Sequence, residues 1–114
     1  MNRTPLVSII VPSFNSASTI NLCLDSIKKQ TYTNIEILVI DNFSKDKTRD
    51  LAKKYTNKIF IAGPERAAQV NFGAKKAKGD YLYRVDSDFI LEPEIVAQCV
   101  AKCSQAQLDG VAVH

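Results

Sequence analysis

Histidine is almost missing from this chain: the only one in 114 residues is the last, His114. Cysteine is scarce, with three residues at 23, 99 and 103. An odd count without paired spacing excludes a disulfide framework. Cys99 and Cys103 can share a face of a predicted helix, but no further Cys or His completes a zinc set. Reduced, buried thiols in a cytosolic protein are the expectation. Long apolar runs are also absent. Met1 to Pro5 is polar and Leu6–Val11 is too short for a secretory leader, so none is expected. No stretch has the length of a membrane span. Charge of one sign is not in excess either, with a formal net charge of +3. The lysines fall on predicted helix faces and ends, and nothing in the balance requires nucleic acid as a partner. Glycine-rich phosphate loops are lacking: no Gly-x-Gly-x-x-Gly follows the first apolar run and no Walker-type lysine loop occurs. That excludes a dinucleotide fingerprint and a P-loop.

What is present is a globular balance, 46% hydrophobic and 24% charged, in a length suited to one domain or part of one. Leu6–Val11 reads as a strand buried on both faces and stopped by Pro12. Ala17, Ile20, Leu24 and Ile27 form a helical stripe that ends in Lys28, Lys29 and Gln30. Asn34–Ile40 is a second strand, closed by Asp41-Asn42. Ser44 and Asp46 are capping candidates for a helix through about Tyr55. Lys58–Ile61 is a short third strand before Gly63-Pro64. A helix is expected over about Glu65–Lys78, with Ala67, Ala68, Val70 and Ala74 as its small or apolar positions. Gly73 inside it marks an irregularity or a close approach. Tyr81–Val85 is the fourth strand. A helix beginning near Glu92 carries Ile95, Val96, Cys99, Val100 and Cys103, and Gly110–Val113 reads as the start of a fifth strand. Strands alternating with helices imply an α/β fold, a mainly parallel sheet with helices on both faces. No linker divides the chain, so residues 1–114 are expected to form a single domain.

In such a sheet the carboxyl ends of the strands share one edge, where ligands bind. Pro12 to Asn15, Asp41-Asn42 and Asp86-Ser87-Asp88 all fall there. Two aspartates cannot hold a phosphate directly, but they can hold it through a hard divalent cation. The alternative is that Asp86 and Asp88 cap the helix near Glu92.

These segments, in their order, resemble the amino-terminal half of a family 2 glycosyltransferase with the GT-A fold. Val7–Asn15 is similar to that family's opening strand and Pro-x-(Tyr/Phe)-Asn loop. Ile27–Tyr32 is similar to its Ser-(Ile/Leu)-x-x-Gln-(Thr/Ser)-Tyr segment. Glu36–Thr48 is similar to its Glu-(Ile/Val)-Ile-Val-Val-Asp-(Asp/Asn)-x-Ser-x-Asp-x-Thr signature. Arg66, Asn71, Gly73, Ala77 and Gly79-Asp80 fit the next block, and Asp86-Ser87-Asp88 fits its Asp-x-Asp motif.

The resemblance implies a Rossmann-like nucleotide-diphospho-sugar transferase and a role at each matching position. Pro12, Phe14 and Asn15 would flank base and ribose. Asp41 would accept a hydrogen bond from uracil N3–H. Arg66 would approach the base or the diphosphate, and Asn71 and Gly73 would shape the donor pocket. Asp86 would contact the ribose or the metal region, and Asp88 would ligate Mn²⁺ or Mg²⁺. The implied reaction passes a sugar, with inversion, from a nucleotide-diphosphate donor (UDP-sugar favoured) to a sugar, polysaccharide or lipid-linked acceptor. Family members usually continue well beyond this length, and the later part carries the acceptor site and the general base. No candidate base stands before His114, so the chain is expected to be truncated relative to the family fold. The alternative reading is a nucleotide-sugar-binding module that complements another chain. A receiver-like domain lacks its later lysine here, and a sugar-phosphate nucleotidyltransferase lacks its basic glycine-rich loop. The setting is expected to be cytoplasmic, with peripheral attachment to the membrane face among the options. Homodimerisation is expected if the face near Val111–Val113 stays unpaired.

Overall fold

The computed structural model describes residues 4–106, with α4 side chains described through Cys103. The element order is β1 (Val7–Ser13), α1 (Ile20–Lys28), β2 (Ile35–Asp41), α2 (Thr48–Ala52), β3 (Ile59–Ile61), α3 (Arg66–Lys76), β4 (Tyr81–Arg84) and α4 (Ile95–Ala106). The strands form one sheet in the order β3-β2-β1-β4, and each pairing is parallel. The two central strands are those the sequence makes most continuously apolar. Every residue of β1 is buried, as parallel strands covered on both faces require. The expected fifth strand, Gly110–Val113, lies outside the described residues.

Side-chain alternation divides the core. Val7, Ile9 and Val11 of β1, with Ile37 and Val39 of β2 and Tyr83 of β4, meet α1, α2 and α4 on one face. Ile10, Leu38 and Ile40 point the other way and meet Phe72 and Ala74 of α3. Helices therefore cover both faces, three on one and α3 on the other. Within α1, Ile20, Cys23, Leu24 and Ile27 supply the buried stripe.

Four local expectations are corrected. Pro12 lies inside β1 and does not end it. The Val7 N–H bonds Asn34 on the β2 side, whereas the Ile10 carbonyl accepts from Val85 on the β4 side. Alternation aims the position-12 nitrogen at the β4 side, where the ladder ends at the Ile10–Arg84 pair. A missing donor costs nothing there. Gln30 is buried at 5% exposure and does not simply close α1. Its amide donates to the Ser26 and Glu92 carbonyls, and its Oε1 accepts from the Val96 N–H at 3.1 Å. It thus serves a first-turn N–H of α4 from a distant part of the chain.

α2 ends at Ala52, short of Tyr55. The Tyr55 N–H bonds the Ala52 carbonyl and Lys54 bonds Leu51, a tightened last turn. Thr56 then anchors the chain on the Ile37 carbonyl at 2.7 Å. On α3, Gln69 and Gly73 are the buried residues, and Ala67 is exposed. Gly73 is the close approach: a Cβ there would lie 2.8 Å from Ile10 Cγ2. The helix runs through it without a break.

Candidate functional site

The parallel sheet sends the ends of β1, β2 and β4 to one edge. A cleft of about 290 Å³ opens there, walled by Pro12 to Ser16, Arg66, Gln69 and Asp86 to Asp88. Of the residues singled out from the sequence, Pro12, Phe14, Asn15, Arg66, Asp86 and Asp88 are brought together in it. Asn71 and Gly73 are not: Asn71 is exposed on α3, and Gly73 packs on Ile10 and Ile40 of the sheet. The helix expected near Glu92 is α4, which begins at Ile95 with the Ile95 N–H on the Glu92 carbonyl; its first-turn Val96 N–H is taken by Gln30 and not by Asp86 or Asp88.

Asp41 sits behind the cleft wall, with no exposed surface. Its Oδ1 accepts from the hydroxyls of Ser13 at 2.8 Å and Ser44 at 2.6 Å. Its Oδ2 accepts from the Ser44 N–H at 2.8 Å and from Arg49 Nη1 at 2.8 Å. A buried carboxylate has to be paired and hydrogen-bonded, and this one is both. Asp41 therefore fixes the loop after β1 to the loop after β2. With four donors on it and no exposed surface, Asp41 can accept a base N–H only if one of these donors moves aside.

The same two loops are stapled again through Asn15. Its N–H donates to Ser44 Oγ at 2.7 Å, and its Oδ1 accepts from the Lys45 N–H at 2.9 Å. Asn15 holds φ at 46°, in the left-handed region that asparagine tolerates better than most residues. Phe14, directly before it, presents a 58% exposed side chain.

Asp86 stands between two guanidinium groups. Arg66 Nη1 lies 3.7 Å from its Oδ2, and Arg84 Nε lies 3.5 Å from its Oδ1. Both arginines are partly exposed, and the distances are those of loose ion pairs. Asp86 Oδ1 is buried and has no hydrogen-bond partner among the described residues. Asp88 is exposed. Beneath the acidic loop, Cys23 Sγ donates to the Asp86 carbonyl at 3.5 Å. Burial first, then the nearby Asp88 charge, pushes the Cys23 thiol up to about 12, so it stays protonated and unreactive.

Two participants carried no readable signal. Gln69 is buried, and its Nε2 donates to the Ser13 carbonyl at 3.0 Å and to the Ile40 carbonyl at 2.7 Å. It thereby pins α3 to the ends of β1 and β2. Arg84 is the last residue of β4, and its Nε reaches Asp86 two residues further on.

Among the described residues, no group of three or more His, Cys, Asp or Glu side chains is gathered for a metal ion. The donor set still fits a hard divalent cation that keeps other oxygen ligands. Asp86 Oδ1 is a carboxylate oxygen without a hydrogen bond, although it faces Arg84 Nε at 3.5 Å, and the exposed Asp88 follows two residues later.

The fold and this edge define the class. The chain superposes on TarS of S. aureus, residues 1–349 in complex with UDP, with TM-score 0.78 and 28% identity, covering 90% of this chain and 33% of that one. A mannosyltransferase from Pyrobaculum calidifontis, solved with GDP-Man and Mn²⁺, shares the fold with TM-score 0.81 at 23% identity, covering 90% and 33%. This is the GT-A glycosyltransferase architecture. The family model for glycosyl transferase family 2 matches residues 8–114, and the chain belongs to that family. An uncharacterized glycosyltransferase of Rickettsia typhi is 40% identical over 93 residues, covering 79% of this chain and 29% of the relative. The hyaluronan synthase of Pasteurella multocida is 36% identical over 106 residues, covering 88% and 11%. The chain thus spans a third or less of the length of these relatives. Among the described residues, no helix is long and apolar enough to cross a membrane.

Proposed function

We propose that residues 1–114 form the donor-binding domain of a glycosyltransferase, one that takes a nucleotide-diphosphate sugar in the cleft at the carboxyl edge of the sheet. The observation that carries this reading is the convergence of Phe14, Arg66, Asp86 and Asp88, from three separate segments, on one cleft. The family membership supports it, and so does TarS, a relative solved with UDP-GlcNAc at 29% identity.

Each residue has a task in this reading. The exposed ring of Phe14 offers an apolar face to a nucleobase. Asp41, Asn15 and Gln69 hold the surrounding loops in one shape before the ligand arrives, which lowers the ordering cost of binding. Arg66 swings from Asp86 toward the diphosphate, where a guanidinium forms charge-assisted hydrogen bonds. Asp86 and Asp88 are the residues that would hold Mn²⁺ or Mg²⁺. A cation bound there supplies Lewis-acid stabilisation of a leaving diphosphate.

For the whole protein, the reaction we propose is inverting transfer of the sugar to an acceptor hydroxyl of a sugar, polysaccharide or lipid-linked acceptor. The setting we propose is cytoplasmic. Its free thiols at 23, 99 and 103, two of them buried, fit a reducing compartment.

Equilibrium dialysis of the purified chain against UDP, GDP and dTDP, with and without Mn²⁺, tests the reading. UDP should bind more tightly with Mn²⁺, and Asp88→Asn should remove most of that gain while leaving metal-free binding nearly unchanged. A folded chain that retains none of the three nucleotides would refute the proposal.

A further inference from the structure

Ser16 is a junction between the segments that build the cleft. It is 8% exposed and forms part of the cleft wall. Its N–H donates to Thr48 Oγ1, at the start of α2, at 2.7 Å. Its carbonyl accepts from Thr19 and Ile20 as the chain enters α1. Its hydroxyl donates to the Phe14 carbonyl at 3.1 Å and lies 2.7 Å from the hydroxyl of Ser87. Ser87 is the residue between Asp86 and Asp88. The Phe89 N–H bonds the Asp86 carbonyl at 2.9 Å, so residues 86–89 form one turn. A rotation at Ser87 therefore swings both carboxylates together. From α1, this turn also receives the long Cys23 contact.

We propose that Ser16 is a positioning residue that couples nucleotide binding to divalent-cation binding, by tying the loop after β1 to the acidic turn through Ser87. The inference rests on the donor reading above. A nucleotide seated against Phe14 to Ser16 restricts the remaining motion of that loop and, through the bond already in place, of Ser87 and the two aspartates before the cation arrives. By reciprocity, the cation prepares the nucleotide loop to the same degree. Ser16→Ala deletes the link to Ser87 together with the hydroxyl's two bonds to the Phe14 backbone, and keeps the backbone bonds to Thr48, Thr19 and Ile20, whereas Ser87→Ala deletes the link alone.

The test is calorimetric titration of the purified chain with UDP, in the presence and absence of Mn²⁺. The ratio of the two dissociation constants is the coupling factor. Direct attraction between cation and diphosphate is present in every variant, so a change in the factor reports the protein's own link. Ser16→Ala and Ser87→Ala should each lower the factor about fivefold, the scale of one neutral hydrogen bond. The double variant should lower it no further than Ser16→Ala alone, because the bond that Ser87→Ala removes is already broken there. Hydrogen exchange gives a second readout: UDP alone should slow exchange at the Phe89 amide in the native chain and not in either variant. If Ser16 serves only as a contact for the nucleotide, both dissociation constants rise by the same multiple and the factor stays fixed. That result overturns the coupling and leaves the donor reading standing. A folded native chain that binds no UDP overturns both.

Discussion

Arg49 Nη1 lies 2.8 Å from Oδ2 of Asp41, with the Asp41 side chain wholly enclosed and the Arg49 side chain 36% exposed. The pair closes the loop after β2 over the end of the strand. Arg49→Ala strands a buried charge, a change that typically costs several kcal/mol. Here the other three hydrogen bonds to Asp41 persist and Arg49 is partly solvated, so the expected loss is about 2–3 kcal/mol. Arg49→Lys should recover only part of it, since an ammonium lacks the planar fork. Urea unfolding of the three proteins checks this, and an Arg49→Ala midpoint equal to the native one would refute the assignment.

Gly73 brings α3 down onto Ile10 and Ile40. Alanine there gains about 1 kcal/mol in helix propensity. It also places a methyl 2.8 Å from Ile10 Cγ2 and 3.2 Å from Ile40 Cγ1, both on side chains buried to 1% exposure or less. Overpacking should win, for a net loss of about 1–2 kcal/mol with Ala and more with Val. Thermal unfolding reads the sign. A stabilised Gly73→Ala chain would mean that α3 lifts from the sheet without penalty.

Glu36 sits at the opposite edge from the cleft, buried beside Lys58, Ser8 and the Lys78 N–H. Burial pushes its carboxyl up, but the hydrogen bonds from Lys58, Ser8 and Lys78, with the Lys58 charge, outweigh that and leave it below its ordinary value of 4.5. A depressed folded-state value means that the stabilisation is complete above 4.5 and is lost as pH falls below it. Glu36→Gln should therefore cost about 1–2 kcal/mol at neutral pH. The gap to the native chain should close on acidification below 4.5. Unfolding curves across that range test it, and a gap that widens with acid would contradict the sign.

The fold was largely legible because its signals are local. The continuous apolar runs of β1 and β2, the stripe of α1 and the turn residues each report on neighbours in sequence. The acidic pair and the loop after β1 were legible as strand-end chemistry. What stayed hidden depends on partners far along the chain. Gln30 and Gln69 look like solvated polar residues until the carbonyls of Glu92, Ser13 and Ile40 are placed beside them. Pro12 reads as a strand end unless the direction of its nitrogen relative to β4 is known. Asp41 was visible as a polar strand terminus, but its saturation by Ser13, Ser44 and Arg49 exists only once the loops have closed. Asn71 and Gly73 sat in a matching block of sequence, yet the helix takes both away from the cleft wall.

The central claim is that the carboxyl edge of the sheet binds a nucleoside diphosphate together with a divalent cation. The most direct measurement is paramagnetic broadening of backbone amide signals when Mn²⁺ is added to the isotopically labelled chain with UDP. The account predicts that Asp86 to Phe89 and Ser13 to Ser16 broaden first, that Lys58 and Gly79 at the far edge stay sharp, and that Asp88→Ala abolishes the effect. Broadening centred elsewhere, or persisting unchanged in Asp88→Ala, would contradict it.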